Sequence, residues 1–312
     1  MTKRVLVTEP IHIDGLDLLK KSGFEVLESL DLTHERLKEM IKTFDVIIVR
    51  SRTLVNKEIV ESGKNLKIIA RAGVGLDNID LEAAKKRNIE VLNIPGAASE
   101  SVAELVFALL LSLFRQIPKA DKGLKEGKWT KKGLLGKELK GKNIGIIGFG
   151  RIGQIVASIA KGFEMNVLCY DVIESCLLKA REMEVEDHGP SKEGLYELLK
   201  KSDIITLHVP LLPETHHLIG EREIETMKDG AYVVNAARGA IVDEEPLYKA
   251  LKTGKLAGAG LDVFEEEPPL DNPLLRLSNV VCTPHIGAST IETQRSISTM
   301  LAERIIDLLR NV

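Results

Sequence analysis

Six residues, Gly148-Phe149-Gly150-Arg151-Ile152-Gly153, lie between the apolar run Ile144 to Ile147 and a helical stretch from Gln154 to Ala160. A strand, a glycine turn and a helix in that order constrain this chain more than any other feature. Gly148 makes the tight turn, Gly150 lets the backbone approach a pyrophosphate, and Gly153 lets helix and strand pack closely. The helix N-terminus offers free N–H groups to phosphates, so this turn, with Arg151 and Ile152 inside it, is expected to hold a dinucleotide. A second strand ends in Asp171, near the roughly 20-residue offset expected of a ribose-binding carboxylate. A carboxylate there accepts hydrogen bonds from a free ribose and repels a 2′-phosphate, and Val172, Ile173 and Glu174 supply no cation to offset it. NAD is expected over NADP.

Short β-branched runs alternate with amphipathic segments on both sides of this turn. The first hundred residues give strands at Arg4 to Thr8, Phe24 to Leu27, Val46 to Val49, Leu66 to Ala70 and Ile89 to Leu92. Helices such as Leu16 to Lys21, Leu37 to Phe44 and Leu81 to Lys86 fall between them. The second series has strands at Ile144 to Ile147, Asn166 to Tyr170, Ile204 to His208, Tyr232 to Asn235, Gly258 to Val263 and Val280 to Thr283. The reading is α/β, with two doubly wound parallel-sheet domains: a Rossmann NAD-binding domain and a flavodoxin-like substrate domain. The chain crosses between them after Pro95 and Gly96, and the strandless helical tail from Ser289 to Leu309 is expected to pack back on the first domain. The substrate domain is therefore drawn as 1–98 and 289–312, and the NAD-binding domain as 99–288.

A chain of 312 residues is long enough for two cores. With 44% hydrophobic and 29% charged residues it reads as an ordinary globular protein. A net charge of -3 gives no reason to expect nucleic acid. The longest apolar stretch, Leu105 to Phe114, is too short to span a membrane and reads as a buried helix. Val5 to Val7 runs at once into Thr8, Glu9 and Pro10, so no leader is expected and the location is taken as cytoplasmic. Cys169, Cys176 and Cys282 read as small reduced hydrophobes. Histidines and cysteines show no metal-ligand spacing, and the adjacent His216 and His217 are expected to point apart, so no metal is implied. The polar loop Lys122 to Lys137 carries the only tryptophan, Trp129, which reads either as a subunit contact or as a ring laid over its own domain.

The second half also supplies residues for proton and charge chemistry at three strand ends. Arg238 follows one strand and suits a two-pronged grip on a carboxylate. His285 follows another, and is the natural acid/base near neutral pH. Glu267 follows a third, where a carboxylate can orient an imidazole and favour its charged form. Singly, such residues are ordinary surface charges or a solvated acidic turn; as a set beside a dinucleotide turn they are complementary.

The runs Asn235-Ala-Ala-Arg-Gly-Ala-Ile-Val-Asp243, Asp262-Val-Phe-Glu-Glu-Glu-Pro268 and Thr283-Pro-His-Ile-Gly-Ala-Ser-Thr290 follow the glycine turn in that order. With it they resemble the D-isomer-specific 2-hydroxyacid dehydrogenases over nearly the whole chain. The resemblance implies that Arg238, Glu267 and His285 are catalytic and that Asp262 holds the nicotinamide carboxamide. It implies that His208, Val209 and Pro210 line the adenine cleft, with Thr215, Ala236 and His285 also in the cofactor set. It further implies a homodimer joined through the cofactor domains and a small-molecule substrate, a D-2-hydroxy acid.

Within that family, Arg50-Ser51-Arg52-Thr53, Arg71-Ala72-Gly73-Val74-Gly75 and the loop around Trp129 most resemble members whose substrate carries a phosphate on its far carbon. Val74 and Gly75 would then present N–H groups to the substrate carboxylate, while Arg50, Arg52 and Arg71 would suit the phosphate. Arg238 joins this substrate set. The alternative reading of the three arginines is surface salt bridges. Many such members carry a C-terminal regulatory domain, and a chain ending at Val312 is expected to be a short form without it. A reductase of glyoxylate or hydroxypyruvate shares every catalytic element, and an NAD-sensing corepressor-like protein is the alternative from another class.

Overall fold

The computed structural model describes residues 2–129 and 131–310. The chain divides into two compact units, Met1–Ala98 with Ala288–Val312, and Ser99–Gly287.

In the smaller unit β1 (Arg4–Val7), α1 (Ile13–Lys21), β2 (Glu25–Glu28), α2 (His34–Met40), β3 (Val46–Val49), α3 (Lys57–Ser62), β4 (Ile68–Arg71), α4 (Leu81–Lys86) and β5 (Glu90–Leu92) alternate. The strands form a parallel sheet in the order β2-β1-β3-β4-β5, which is the flavodoxin-like winding. All four residues of β3 are buried, as expected of a strand covered on both faces. One face packs Val5, Val46, Ile48 and Ile68 against Leu16 and Leu19 of α1 and against Ile297, Leu301 and Ile305 of the last helix. The other packs Leu6, Ile47 and Ile69 against Leu37, Ile59 and Ala83 from the remaining helices.

The larger unit opens with α5 (Ser99–Phe114) and α6 (Ile117–Lys125). There follow β6 (Asn143–Ile147), α7 (Arg151–Gly162), β7 (Asn166–Tyr170), α8 (Glu174–Glu182), β8 (Glu186–Asp187), α9 (Lys192–Lys201), β9 (Ile204–Leu207), α10 (Glu221–Thr226), β10 (Ala231–Asn235), α11 (Glu244–Thr253), β11 (Leu256–Leu261) and β12 (Val280–Cys282). Its seven strands are parallel in the order β12-β11-β10-β9-β6-β7-β8, and the reversal of direction at β6 is the dinucleotide-binding winding. The chain ends with α12 (Ile291–Arg310) in the smaller unit.

Three local expectations change. Lys122 to Lys125 are the last turn of α6, so the polar loop begins after them; Pro118 at the start of that helix is compatible with a first turn. The strand before the last, β11, stops at Leu261, which leaves Asp262 and Val263 in the loop beyond. The two-residue β8 is too short to leave a period-2 pattern. Among the described residues no single helix is long and apolar enough to cross a membrane. The apolar α5 is instead buried along Val102, Val106, Leu109 and Leu110.

Candidate active site

Because the larger sheet is parallel, every strand delivers its following loop to the same edge, where ligands bind in folds of this winding. Gly148 follows β6, Asp171 follows β7, His208 to Pro210 follow β9, Ala236 and Arg238 follow β10, Asp262 follows β11 and His285 follows β12. The candidate residues of this unit thus meet along one edge by topology alone.

The glycine turn has the geometry a dinucleotide requires. Gly148 has φ 92°, and a Cβ there would stand 2.7 Å from the His208 carbonyl. A Cβ at Gly153 would stand 2.2 Å from the Gly148 oxygen, so helix and strand touch through missing side chains. Gly150 caps α7, and a Cβ on it would meet only open space, the room a phosphate needs at that helix N-terminus. The Asp171 carboxylate accepts the Phe149 N–H at 2.6 Å and the Ile173 N–H at 2.8 Å, which fixes it beside the turn. Val172 and Ile173 are exposed and apolar. The residues present therefore fit a dinucleotide with an unphosphorylated ribose.

His208 donates its backbone N–H to Ile147 and pairs its Nε2 with Thr206 Oγ1 at 2.9 Å. Burial pushes this imidazole down to about 3, so the ring is neutral at physiological pH. The Thr215 hydroxyl donates to the Pro210 carbonyl at 2.6 Å and accepts the Leu212 N–H, closing the loop after β9.

His285 Nδ1 and Glu267 Oε2 lie 2.7 Å apart, and both side chains are partly open to solvent. Burial pushes the Glu267 carboxyl up. The His285 contact, the Phe264 N–H and the nearby Arg238 charge outweigh that and hold it below the usual carboxylate range. Arg238, half-buried, turns one guanidinium N–H back to the Ala237 carbonyl at 2.7 Å. The three residues chosen from sequence thus come together: an imidazole with a carboxylate on one nitrogen, the other nitrogen available, and a cation alongside.

Asp262 carries a duty that its position in the sequence does not reveal. It is 1% exposed, and its Oδ1 accepts the Thr283 hydroxyl and the Ile286 N–H while its Oδ2 accepts the Gly287 N–H. The His285 N–H also donates to the Asp262 carbonyl at 2.8 Å. This residue builds the turn that presents His285, whose φ of 53° is left-handed.

In the smaller unit the carboxylate that organises the arginine loop is Glu9, which was not singled out from sequence. Glu9 is 4% exposed and accepts the N–H groups of Arg50, Arg52 and Thr53. Burial raises this carboxyl, but the three N–H donors outweigh it and leave it below its ordinary value. A group depressed in the folded state contributes stability above its unfolded value, and that contribution is lost as pH falls through the folded one. Glu9→Gln is therefore expected to lower the urea midpoint at neutral pH and to bring it close to the parent protein in acid, measured as paired titrations at several pH values. A constant difference at all pH values would exclude an ionised Glu9 as the source.

The three arginines are placed differently from one another. Arg50 donates to the Pro10 carbonyl, and burial lowers its pKa. Arg52 is exposed and already paired with Asp31 at 3.1 Å and Glu9 at 3.5 Å. The Arg71 guanidinium fills the space where a Gly73 side chain would stand, with Nη1 1.4 Å from that Cβ position. Val74 is exposed in the turn that follows, beside Gly75.

Two further expectations meet the structure here. Burial pushes the Cys169 thiol up to about 12 and the Cys282 thiol to about 11, and all three cysteines are free. The adjacent histidines do not point apart: the His216 and His217 rings lie with centroids 4.0 Å apart and planes tilted by 31°. His217 has φ 51°, outside any regular element, and that turn of the backbone brings the rings together. His217, Asp243 and Glu265 hold potential ligand atoms within 4.8 Å of one another, although their sequence spacing suggests no such group. As they stand, the ring is clasped between two carboxylates, with Nδ1 3.6 Å from Asp243 and Nε2 3.0 Å from Glu265.

Comparison with known proteins identifies the family. Residues 107–287 match the NAD-binding domain of the D-isomer specific 2-hydroxyacid dehydrogenases. The chain is 50% identical over 308 residues to a D-3-phosphoglycerate dehydrogenase of Methanocaldococcus jannaschii, covering 98% of this chain and 57% of that protein. It is 49% identical to a hydroxypyruvate reductase of Thermotoga maritima, covering 97% of both. A solved D-lactate dehydrogenase of Aquifex aeolicus, in complex with NAD and lactic acid, superposes with a TM-score of 0.85 at 34% identity. That match covers 99% of this chain and 96% of the other. The chain belongs to the NAD-dependent D-isomer-specific 2-hydroxyacid dehydrogenases. It spans less than two thirds of the length of the phosphoglycerate dehydrogenase it matches.

Proposed function

We propose that this chain oxidises a small D-2-hydroxy acid, with 3-phosphoglycerate as substrate and 3-phosphohydroxypyruvate as product. The observation that carries the reading of a dehydrogenase is the 2.7 Å contact of His285 with Glu267, beside Arg238, at the edge where Gly150 leaves room for a dinucleotide. NAD, when bound, supplies the acceptor for the hydride that leaves the hydroxyl-bearing carbon. The His285 Nε2 takes the hydroxyl proton as the carbon–oxygen double bond forms. Glu267, on Nδ1, orients the ring and favours the imidazolium that results. Arg238 grips the substrate carboxylate and stabilises charge on the reacting oxygen. The pH dependence of turnover then belongs to the His285–Glu267 pair, and Glu267→Gln moves its acid limb to lower pH as the charged ring loses its counter-ion.

The phosphate reading rests on Arg50, Arg52 and Arg71 at or after the ends of β3 and β4, and on the phosphoglycerate dehydrogenase at 50% identity. The reaction would open serine biosynthesis in the cytoplasm. A second reading, reduction of hydroxypyruvate or glyoxylate, is favoured by the reductase that matches almost end to end and by the partners Arg52 already has. Arg52→Ala separates them. With a phosphorylated substrate it raises KM for the phosphorylated keto acid and leaves glyoxylate reduction nearly unchanged, since glyoxylate has nothing to reach that site. Equal effects on both substrates would favour the second reading.

The partner in the assembly is proposed to be a second copy of the chain. Trp129 is 80% exposed, so it is not laid over its own domain, and Leu124 and Leu135 are exposed nearby. A cavity of about 480 Å³ lined by Trp129, Leu124, Leu134 and several lysines suits burial against another subunit.

A further inference from the structure

We propose that His217 and Glu265 are positioning residues that lock the loop carrying Arg238 to the loop carrying Glu267. The inference rests on the catalytic reading above and adds residues that it does not use. After Arg238 the chain makes a single turn, Gly239–Ile241, and a Cβ on Gly239 would lie 1.9 Å from the Phe264 carbonyl carbon and 2.4 Å from the Glu265 nitrogen. The two loops are thus in backbone contact, one residue after Arg238 and two residues before Glu267.

His217 spans that contact. Its N–H donates to the Ala240 carbonyl at 2.7 Å, while its Nε2 reaches Glu265 Oε1 at 3.0 Å. The ring leans on Asp243 through Nδ1 and lies tilted against the His216 ring. Glu265 is held from a second side, because its Oε1 also accepts the Glu244 N–H and its own N–H donates to Glu244 Oε1. Glu244 in turn accepts the Asn272 side chain at 2.6 Å, beyond the far end of the loop. The backbone on the His217 side is tied independently, since Ile219 donates to Ile241 and Asp243 donates to Ile219. The His217 side chain can therefore be changed without unseating the segment that carries it. What changes is the grip on Glu265, and through it the placement of Glu267 against His285.

The test compares His217→Asn, Glu265→Gln and the double variant with Glu267→Gln in the intact protein. Asparagine accepts the left-handed backbone of His217 but is too short to reach Glu265. Each single variant is expected to lower kcat by about three- to tenfold, because the pair is partly solvent-screened and a small misplacement of Glu267 is enough. KM for NAD stays unchanged, and the acid limb of the pH–rate profile moves in the direction set by Glu267→Gln. The double variant loses no more than the worse single one, since both remove the same contact. Unchanged kcat and pH profile in the singles, or additive losses accompanied by weaker NAD binding, would overturn the proposal. If Glu267→Gln itself leaves rate and pH profile untouched, the catalytic reading falls, and the clasp falls with it.

Discussion

His285→Ala is expected to lower turnover of the preferred D-2-hydroxy acid by about 100-fold or more while NAD still binds. Loss of a positioned general acid/base costs a factor of this size. The substitution removes the ring that Glu267 holds at 2.7 Å but leaves Arg238, the glycine turn and Asp171 in place. Cofactor affinity measured by direct titration should therefore fall far less than the rate, whereas the rate and its acid limb should both disappear into the background. A variant retaining more than a tenth of the parent rate would remove His285 from the proton step.

Asp262→Ala is expected to act on stability instead, by about 2–4 kcal/mol. It strips the acceptors from the buried Gly287 N–H and from the part-buried Thr283 hydroxyl and Ile286 N–H, and a donor left buried without a partner costs about 1–3 kcal/mol. Against a total stability of roughly 5–15 kcal/mol, that is a large share. Asp262→Asn should be milder, because its carbonyl oxygen still accepts while its amide group faces a donor. Denaturant unfolding of the three proteins checks this order. An Asp262→Ala protein as stable as the parent would mean that the His285 turn is held by other contacts.

The parts of the site legible in the sequence are those whose signal is local. Gly148, Gly150 and Gly153 announce a strand-to-helix turn because their spacing is itself the turn, and Asp171 follows at the offset set by one crossover helix. Arg238, Glu267 and His285 lie just beyond apolar runs, and strand ends of a parallel sheet meet at one edge; the choice of Glu267 over Glu265 and Glu266 rests on the family resemblance. Glu9, Asp262 and His217 act through contacts across tens of residues, and their duties could not be read locally. Glu9 looks like a turn acid after the first strand, yet it caps the N–H groups of a loop more than 40 residues away. The role of His217 depends on a positive φ, which no hydrophobic period encodes. The same holds for Lys122 to Lys125, whose polar composition reads as loop although they close a helix.

The return of α12 to the smaller unit sets the order in which the chain can mature on a ribosome. Gly15 leaves no room for a side chain against Ser298, Ser298 donates to the His12 carbonyl, and Arg295 pairs with Asp14 at 2.5 Å. Leu16 and Leu19 share their core with Ile297 and Leu301. Residues 2–98 therefore leave the part of that core which α12 covers exposed until α12 has been made. The uninterrupted stretch from Ser99 to Gly287 has all of its own strands beforehand. Domains generally fold as units during synthesis. In this chain the smaller unit, begun before the larger one, is completed only after it.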